Sequence, residues 1–313
     1  MVEPLQWFGL TPVFYRVHED LSIDYADLAG QLEQSCKALV AVHYFGFPQD
    51  GPRLRAFCDH FGLALIEDCA HSYFGSYKGK SLGSFGDFAI GSLPKFFPLR
   101  GGGCLVSNRH SLPKRSLVTQ GWLTNLQAVI RNLQTAHYYD RLRPISPFTT
   151  ITAALIKALF MIGLERDKVA LLSSSSSLEF TADWAARNIP RATDQDGIVA
   201  RRRENYQMIC NSLVDLPGVT LLKPRLEAGI VPYMVPLRIP ALRHIFAELE
   251  DRAIPMQRFG QFLSPDLDDA LCPVSSDLSH HGLQLPCHQS LLREEIAWMV
   301  EQLRDVCQSA RFH

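Results

Sequence analysis

The 313 residues contain no Cys-x-x-Cys pair, no Gly-x-Gly-x-x-Gly, no internal repeat, and no unbroken apolar run approaching the roughly 20 residues that cross a bilayer. The eight cysteines (36, 58, 69, 104, 210, 272, 287 and 307) are scattered, several inside apolar runs. That pattern excludes a disulfide framework and fits reduced thiols in a cytoplasmic enzyme. Cys272, His280, His281, Cys287 and His288 crowd together, but at no usual zinc spacing, so no metal is expected. The most apolar segment, residues 151–164 (ITAALIKALFMIGL), contains Lys157 and is too short to span a membrane. It reads as a buried or partner-facing helix. The first nine residues lack a basic start followed by an apolar run, so no export signal is expected.

Charge of one sign is also missing. Thirty-one Lys and Arg against 32 Asp and Glu leave a net charge of -1, which argues against nucleic acid as a partner. The one basic run, residues 201–203 (RRR), is followed by Glu204 on a predicted helix and reads as a solvated face. What remains is an ordinary globular composition, 47% hydrophobic and 20% charged, in a chain long enough for two domains of about 150 residues.

Residues 38–108 carry the chemistry. Residues 38–42 (ALVAV) are an apolar run of strand length. Asp50 then caps a helix with Pro52 in its first turn, apolar Leu54, Phe57, Cys58 and Phe61 at helical spacing, and Gly62 as its stop. Residues 63–66 (LALI) follow as a second buried strand, giving a strand–helix–parallel strand unit. Glu67 and Asp68 lie at the carboxyl end of that strand, where open α/β sheets bind ligands. An acid there is either a site residue or the cap of the next turn. Residues 77–83 (YKGKSLG) read as a polar hairpin, and residues 88–91 (FAIG) as another strand that ends at Ser92 and leads to Lys95. Acid, hydroxyl and lysine would therefore meet at one sheet edge. Pyridoxal phosphate chemistry needs these functions: a lysine amine to hold the cofactor, a carboxylate to keep the pyridine nitrogen protonated, and donors for the phosphate. Lys95, Asp68 and Ser92 would fill those roles.

The motifs VHYFGFPQD, IEDCAHSYFGSYKGKSLGSFGD, the Ser92 and Lys95 pair and GGGCLVSN resemble, in this order, the DegT/DnrJ/EryC1/StrS family of sugar aminotransferases. VPYMVPLRI, AIPMQRF and LQLPCHQSLLREEIAWMVEQL extend the resemblance towards the C-terminus. The resemblance implies an α/β protein of PLP-dependent transferase fold type I, with a mostly parallel sheet in its large domain and a smaller C-terminal α+β domain. It implies Asp68 at the pyridine nitrogen, His71 near the ring oxygen, Ser92 at the phosphate and Lys95 as the catalytic lysine. It begins near the family's third strand, so the family's first strands and phosphate-holding Gly-Thr helix are expected to lie outside this chain.

The expected division is residues 1–193 for the cofactor-binding domain and 194–313 for the small domain. Residues 11–17 (TPVFYRV) alternate like a strand and residues 24–32 read as a capped helix. Residues 194–213 predict a long helix with Ile198, Arg202, Tyr206, Ile209 and Leu213 near helical spacing. Strands are expected near 219–222 and 231–239, and helices near 242–252 and 291–306. The function implied is amino transfer from an amino acid to a keto sugar, nucleotide-linked by resemblance, in a cytoplasmic homodimer. The alternative is a non-catalytic family member that serves as a dimer partner or scaffold.

Overall fold

The computed structural model describes residues 2–99, 101–113, 117–119, 181–264, 267 and 269–309. The apolar segment 151–164, the serine run 173–177, and Trp122, His137, Tyr138 and Tyr139 lie outside the described residues. Two short helices come first, α1 (Val2–Trp7) and α2 (Tyr25–Gly30), the latter capped by the Asp24 carboxylate at the Ala26 and Asp27 amides. Residues 11–17 form no strand. Among the described residues their one ladder contact is an isolated bridge from Val17 to Ile23, and the Tyr15 hydroxyl ties the segment down by donating to the Val40 carbonyl (2.8 Å). Alternation makes a strand only where a backbone partner is available to pair with it.

Strands β1 (Ala38–Val42) and β2 (Ala64–Asp68) run parallel, in register from Ala38 opposite Ala64 to Val42 opposite Asp68. Helix α3 (Gly51–Phe61) connects them. Asp50 caps it by accepting from the Arg53 amide, and Gly62 closes it in the left-handed conformation at φ 67°. Leu54 and Cys58, one helical turn apart, bury themselves with Leu39, Ala41 and Leu65. Strands β3 (Ser76–Tyr77) and β4 (Lys80–Ser81) form the expected hairpin. Its turn residues Lys78 and Gly79 both have positive φ, 50° and 78°, as a type I′ turn requires. Strand β5 (Phe88–Ser92) pairs parallel with β2, and β6 (Gly103–Ser107) completes the order β1-β2-β5-β6.

Beyond helix α4 (Trp184–Ala192), helix α5 (Gln195–Leu213) starts at an Asp194 cap and buries Ile198, Arg202, Tyr206, Ile209 and Leu213. Arg202 corrects the reading of residues 201–203 as a solvated face, because it is only 1% exposed. Its guanidinium finds the carbonyls of Pro232 and Tyr233 and the side chain of Gln289. These acceptors come from distant parts of the chain, so the sequence run gave no sign of them.

The remaining elements are β7 (Thr220–Leu221), β8 (Met234–Arg238), α6 (Leu242–Asp251), β9 (Gln257–Arg258), α7 (Pro273–His281), β10 (Gly282–Pro286) and α8 (Arg293–Ser309). The strands form an antiparallel sheet in the order β7-β8-β10-β9. Its Val235, Leu237, Leu283 and Leu285 share one core with Ile209 and Leu213 of α5 and Ile296 and Leu303 of α8. Phe45 and Phe47, from the turn after β1, belong to this core too. The chain divides into two compact units. The first comprises Met1–Gly91, Leu105–His110 and Asp194–His313, and the second Ser92–Cys104 and Ser111–Thr193. Among the described residues no helix is long and apolar enough to cross a membrane.

Candidate active site

Strand β2 ends in two acids, and the alternation of its side chains separates their roles. Glu67 shares a strand face with Leu65, whereas Asp68 points to the other face. Glu67 is fully buried. Its Oε1 accepts from the amides of Phe85 (2.7 Å) and Gly86 (2.6 Å), and its Oε2 from the Gly83 amide (3.1 Å). The fully buried His43 completes the arrangement. The Gln49 amide donates to its Nδ1 (3.0 Å), so Nε2 carries the ring proton and donates to Glu67 Oε2 (2.9 Å). Burial works to raise the Glu67 carboxyl, but the bonds from His43, Gly86 and Gly83 outweigh it and hold the group below the usual carboxylate range. A Cβ on Gly86 would stand 2.7 Å from the Phe88 carbonyl oxygen and 2.8 Å from that of Leu65, so only glycine lets this amide approach.

His43, Glu67 and Cys69 form the one group of three possible metal ligands that converges among the described residues, with donor atoms within 4.8 Å. Four hydrogen bonds already occupy the carboxylate. The arrangement locks the ends of β1 and β2 to the loop before β5 without needing an ion.

Asp68 is 6% exposed at the carboxyl end of β2. Its Oδ1 accepts from the Ala70 amide (2.8 Å), and its carbonyl accepts from the His43 amide (3.1 Å). The carboxylate thus does cap the next turn, using one oxygen. Its charge is also felt nearby: burial, then the proximity of Asp68, pushes the Tyr44 phenol up to about 12. His71 follows on the same turn, half-buried, with Nδ1 accepting from the Phe45 amide (3.3 Å). Its ring stacks on Tyr233 at 4.7 Å and 18° and lies 5.8 Å from Phe45 at 25°. Phe45 holds a left-handed conformation, φ 57° and ψ 15°, which is rare for a bulky residue.

In the second unit, Ser92 is the last residue of β5, and Lys95 closes a 3₁₀ turn (Leu93–Lys95). The turn is anchored from behind by Phe96 and Phe97, 1% and 3% exposed, whose amides both donate to the Leu93 carbonyl (3.0 Å). The Leu93 amide in turn donates to the Gly102 carbonyl (3.1 Å). Gly102 sits at φ 115°, and a Cβ there would come within 2.9 Å of the Ala186 Cβ. The glycine run therefore serves close backbone approach beside the lysine turn.

Residues 1–122 match the model of the DegT/DnrJ/EryC1/StrS aminotransferase family. Over 320 aligned residues the chain is 34% identical to UDP-N-acetyl-3-dehydro-alpha-D-glucosamine 3-aminotransferase of Acidithiobacillus ferrooxidans, covering 96% of this chain and 73% of that protein. The chain belongs to this family. It is an aminotransferase by that membership. GDP-perosamine synthase of Escherichia coli O157:H7 is 22% identical over 312 residues, 97% of this chain and 75% of the relative. Among solved structures, DesI, studied in the presence of its TDP-sugar product, superposes with a TM-score of 0.68 at 21% identity, over 99% of this chain and 72% of its own. Helicobacter pylori PseC, an aminotransferase of pseudaminic acid biosynthesis, gives 0.66 at 18%, over 97% and 76%. The fold is thus that of the fold-type-I PLP-dependent aminotransferases.

The sequence signals point to Asp68, His71, Ser92 and Lys95; they give no role to His43, Phe45 or Tyr233, and they leave Arg202 in a basic run with no sign of its buried partners. The one available signal was the pair Glu67-Asp68, two acids where the chemistry asks for one. Strand parity alone says that they face opposite ways.

Proposed function

We propose that this aminotransferase moves an amino group from an amino acid to a keto sugar carried on a nucleotide, using pyridoxal phosphate held by Asp68, His71, Ser92 and Lys95. The observation that carries the reading is the buried Asp68 carboxylate at the carboxyl end of a central parallel strand, on the face away from the Glu67 lock. The donor set fits the cofactor: an anion for a pyridinium, an imidazole for a ring oxygen, a hydroxyl for a phosphate and an amine for an aldehyde. Pyridoxal phosphate supplies the electron sink that makes the proton on the amine-bearing carbon acidic. Asp68 holds the proton on the pyridine nitrogen by charge. His71 would donate from Nε2 to the ring oxygen, and the Ser92 hydroxyl would donate to the phosphate. Lys95 Nζ would hold the cofactor and, once the donor amine had taken its place, would move the proton between the amine-bearing carbon and the cofactor.

A keto-sugar substrate is supported by the named activity of the Acidithiobacillus relative, and the nucleotide link by the names of both the Acidithiobacillus and Escherichia relatives. We read residues 1–193 as the cofactor domain and 194–313 as the small domain, whose antiparallel sheet and helices α5 to α8 supply most of one core that Phe45 and Phe47 also join. A homodimer is supported by Trp7, Phe8, Leu10 and Val13, an exposed apolar strip on and just after α1 that a second copy would cover. Eight free thiols support a reducing, cytoplasmic setting. The test is an absorbance titration with pyridoxal phosphate. The wild type gains a visible band that Lys95→Ala lacks, and Asp68→Asn keeps the band but loses at least about hundredfold in amino transfer. No band with the wild type, or full turnover by Asp68→Asn, overturns the reading.

A further inference from the structure

Arg202 lies 1% exposed on α5, and burial pushes its guanidinium below its ordinary pKa. Burying a guanidinium is costly, and an apolar side chain of similar volume is often no less stable in such a place, so the cation calls for a reason beyond packing. Its Nη1 donates to the carbonyls of Pro232 (3.3 Å) and Tyr233 (3.1 Å), and its Nε to Gln289 Oε1 (2.9 Å). The Cys287 thiol lies against the same two carbonyls at 3.7 and 3.5 Å. Residues 232–233, where the chain enters β8, are therefore held in place from one side.

From the other side they hold the turn after β1. The Tyr233 amide donates to the Phe45 carbonyl (2.8 Å). Gly46 presses so closely on this segment that a Cβ there would stand 2.2 Å from the Val231 carbonyl oxygen. These contacts keep Phe45 in its left-handed conformation, and that conformation aims its N–H at His71 Nδ1. A lone pair must be present on Nδ1 to accept this bond, so the ring is neutral with its proton on Nε2. Tyr233 adds its ring face to His71 at 4.7 Å.

We propose that Arg202 is a positioning residue that, through the Pro232–Tyr233 backbone and the strained Phe45 turn, fixes His71 as the Nε2–H tautomer. Its service to the reaction rests on the proposed role of His71 beside the cofactor. The tautomer itself does not, because all of the groups in the chain Arg202, Tyr233, Phe45 and His71 lie in one compact unit.

The test is nitrogen-15 NMR of histidine-labelled full-length protein, with His71 assigned by His71→Gln, about two pH units above the ordinary histidine pKa of about 6.5. Amide exchange at Phe45 is followed in parallel. Wild type should show Nδ1 unprotonated and hydrogen-bonded, with a protected Phe45 amide. Arg202→Met should keep its overall unfolding midpoint yet exchange the Phe45 amide about tenfold faster, with the His71 nitrogens moving towards the mixed tautomers of free imidazole. Arg202→Lys, which keeps a donor for the carbonyls, should fall between and partly rescue both signals. If Arg202→Met does not fold, Arg202→Lys becomes the deciding variant. Nδ1–H in the wild type overturns the proposal, as do His71 shifts and Phe45 exchange unchanged in the folded variant. These readouts need no cofactor. A correct tautomer in a protein that gives no visible band with pyridoxal phosphate would therefore sink the functional reading and leave the positioning device standing.

Discussion

Glu67→Gln isolates the buried lock behind the site. The substitution keeps the size of the side chain and one carbonyl oxygen, which can still serve the amides of Phe85 and Gly86. The new NH₂ must then face the His43 Nε2–H and the Gly83 amide, donor against donor. His43 cannot switch tautomer in response, because its Nδ1 already accepts from the Gln49 amide. Two hydrogen bonds to a charged acceptor, each contributing about 1.5–3 kcal/mol, are replaced by unsatisfied buried donors, for a loss of about 3–6 kcal/mol. That is a large part of the stability of an ordinary domain, about 5–15 kcal/mol. Urea unfolding followed by circular dichroism measures it. The same variant has a pH signature. The Glu67 carboxyl is held lower in the folded chain than in the unfolded one, so its contribution is full above the unfolded value of about 4.3 and is lost as pH falls through the folded value. Wild type should therefore lose stability on acidification through this window, and Glu67→Gln should lack that part of the slope. A loss under about 1 kcal/mol, with an acid limb like that of wild type, would refute the lock.

Gly46→Ala should destabilise by more than about 2 kcal/mol, because it adds a Cβ 2.2 Å from the Val231 carbonyl oxygen at φ 95°; an unfolding midpoint equal to wild type contradicts the close approach. Asp277 accepts from both Arg238 Nε (2.6 Å) and Nη2 (2.7 Å), and Arg238, opposed by partial burial and helped by His281, holds its carboxyl down at about 2. Its stabilising share is present above the unfolded value of about 3.9 and disappears as pH falls towards about 2. With Asp277 a third exposed, Asp277→Asn should cost under about 1 kcal/mol at neutral pH, and carbon-13 titration of the wild-type carboxyl near 4 would contradict the pairing.

Much of the fold was legible from local rules. The strand–helix–strand unit follows from two apolar runs and a helix framed by Asp50 and Gly62, and each of these acts within a few residues of itself. The hairpin at 76–81 follows from Lys78-Gly79, since a two-residue turn needs two positive φ angles. The inner stripe of α5 follows from helical period, and the family from motifs in order along the chain. Other features depend on what a segment meets. Residues 11–17 have a strand's alternation, but among the described residues their one ladder pairing is Val17 with Ile23. Period places Arg202 on the buried stripe. Only the fold brings in Pro232, Tyr233 and Gln289, 30 to 87 residues away, to satisfy its charge. The two acids ending β2 are chemically alike in sequence. Tertiary packing made Glu67 the structural one by putting its strand face against the amides of Phe85 and Gly86, and left Asp68 on the opposite face. The left-handed Phe45 belongs to the same class: nothing in Tyr-Phe-Gly demands φ 57°, and it is held there by the Tyr233 amide, which reaches it only once the β8 segment has docked.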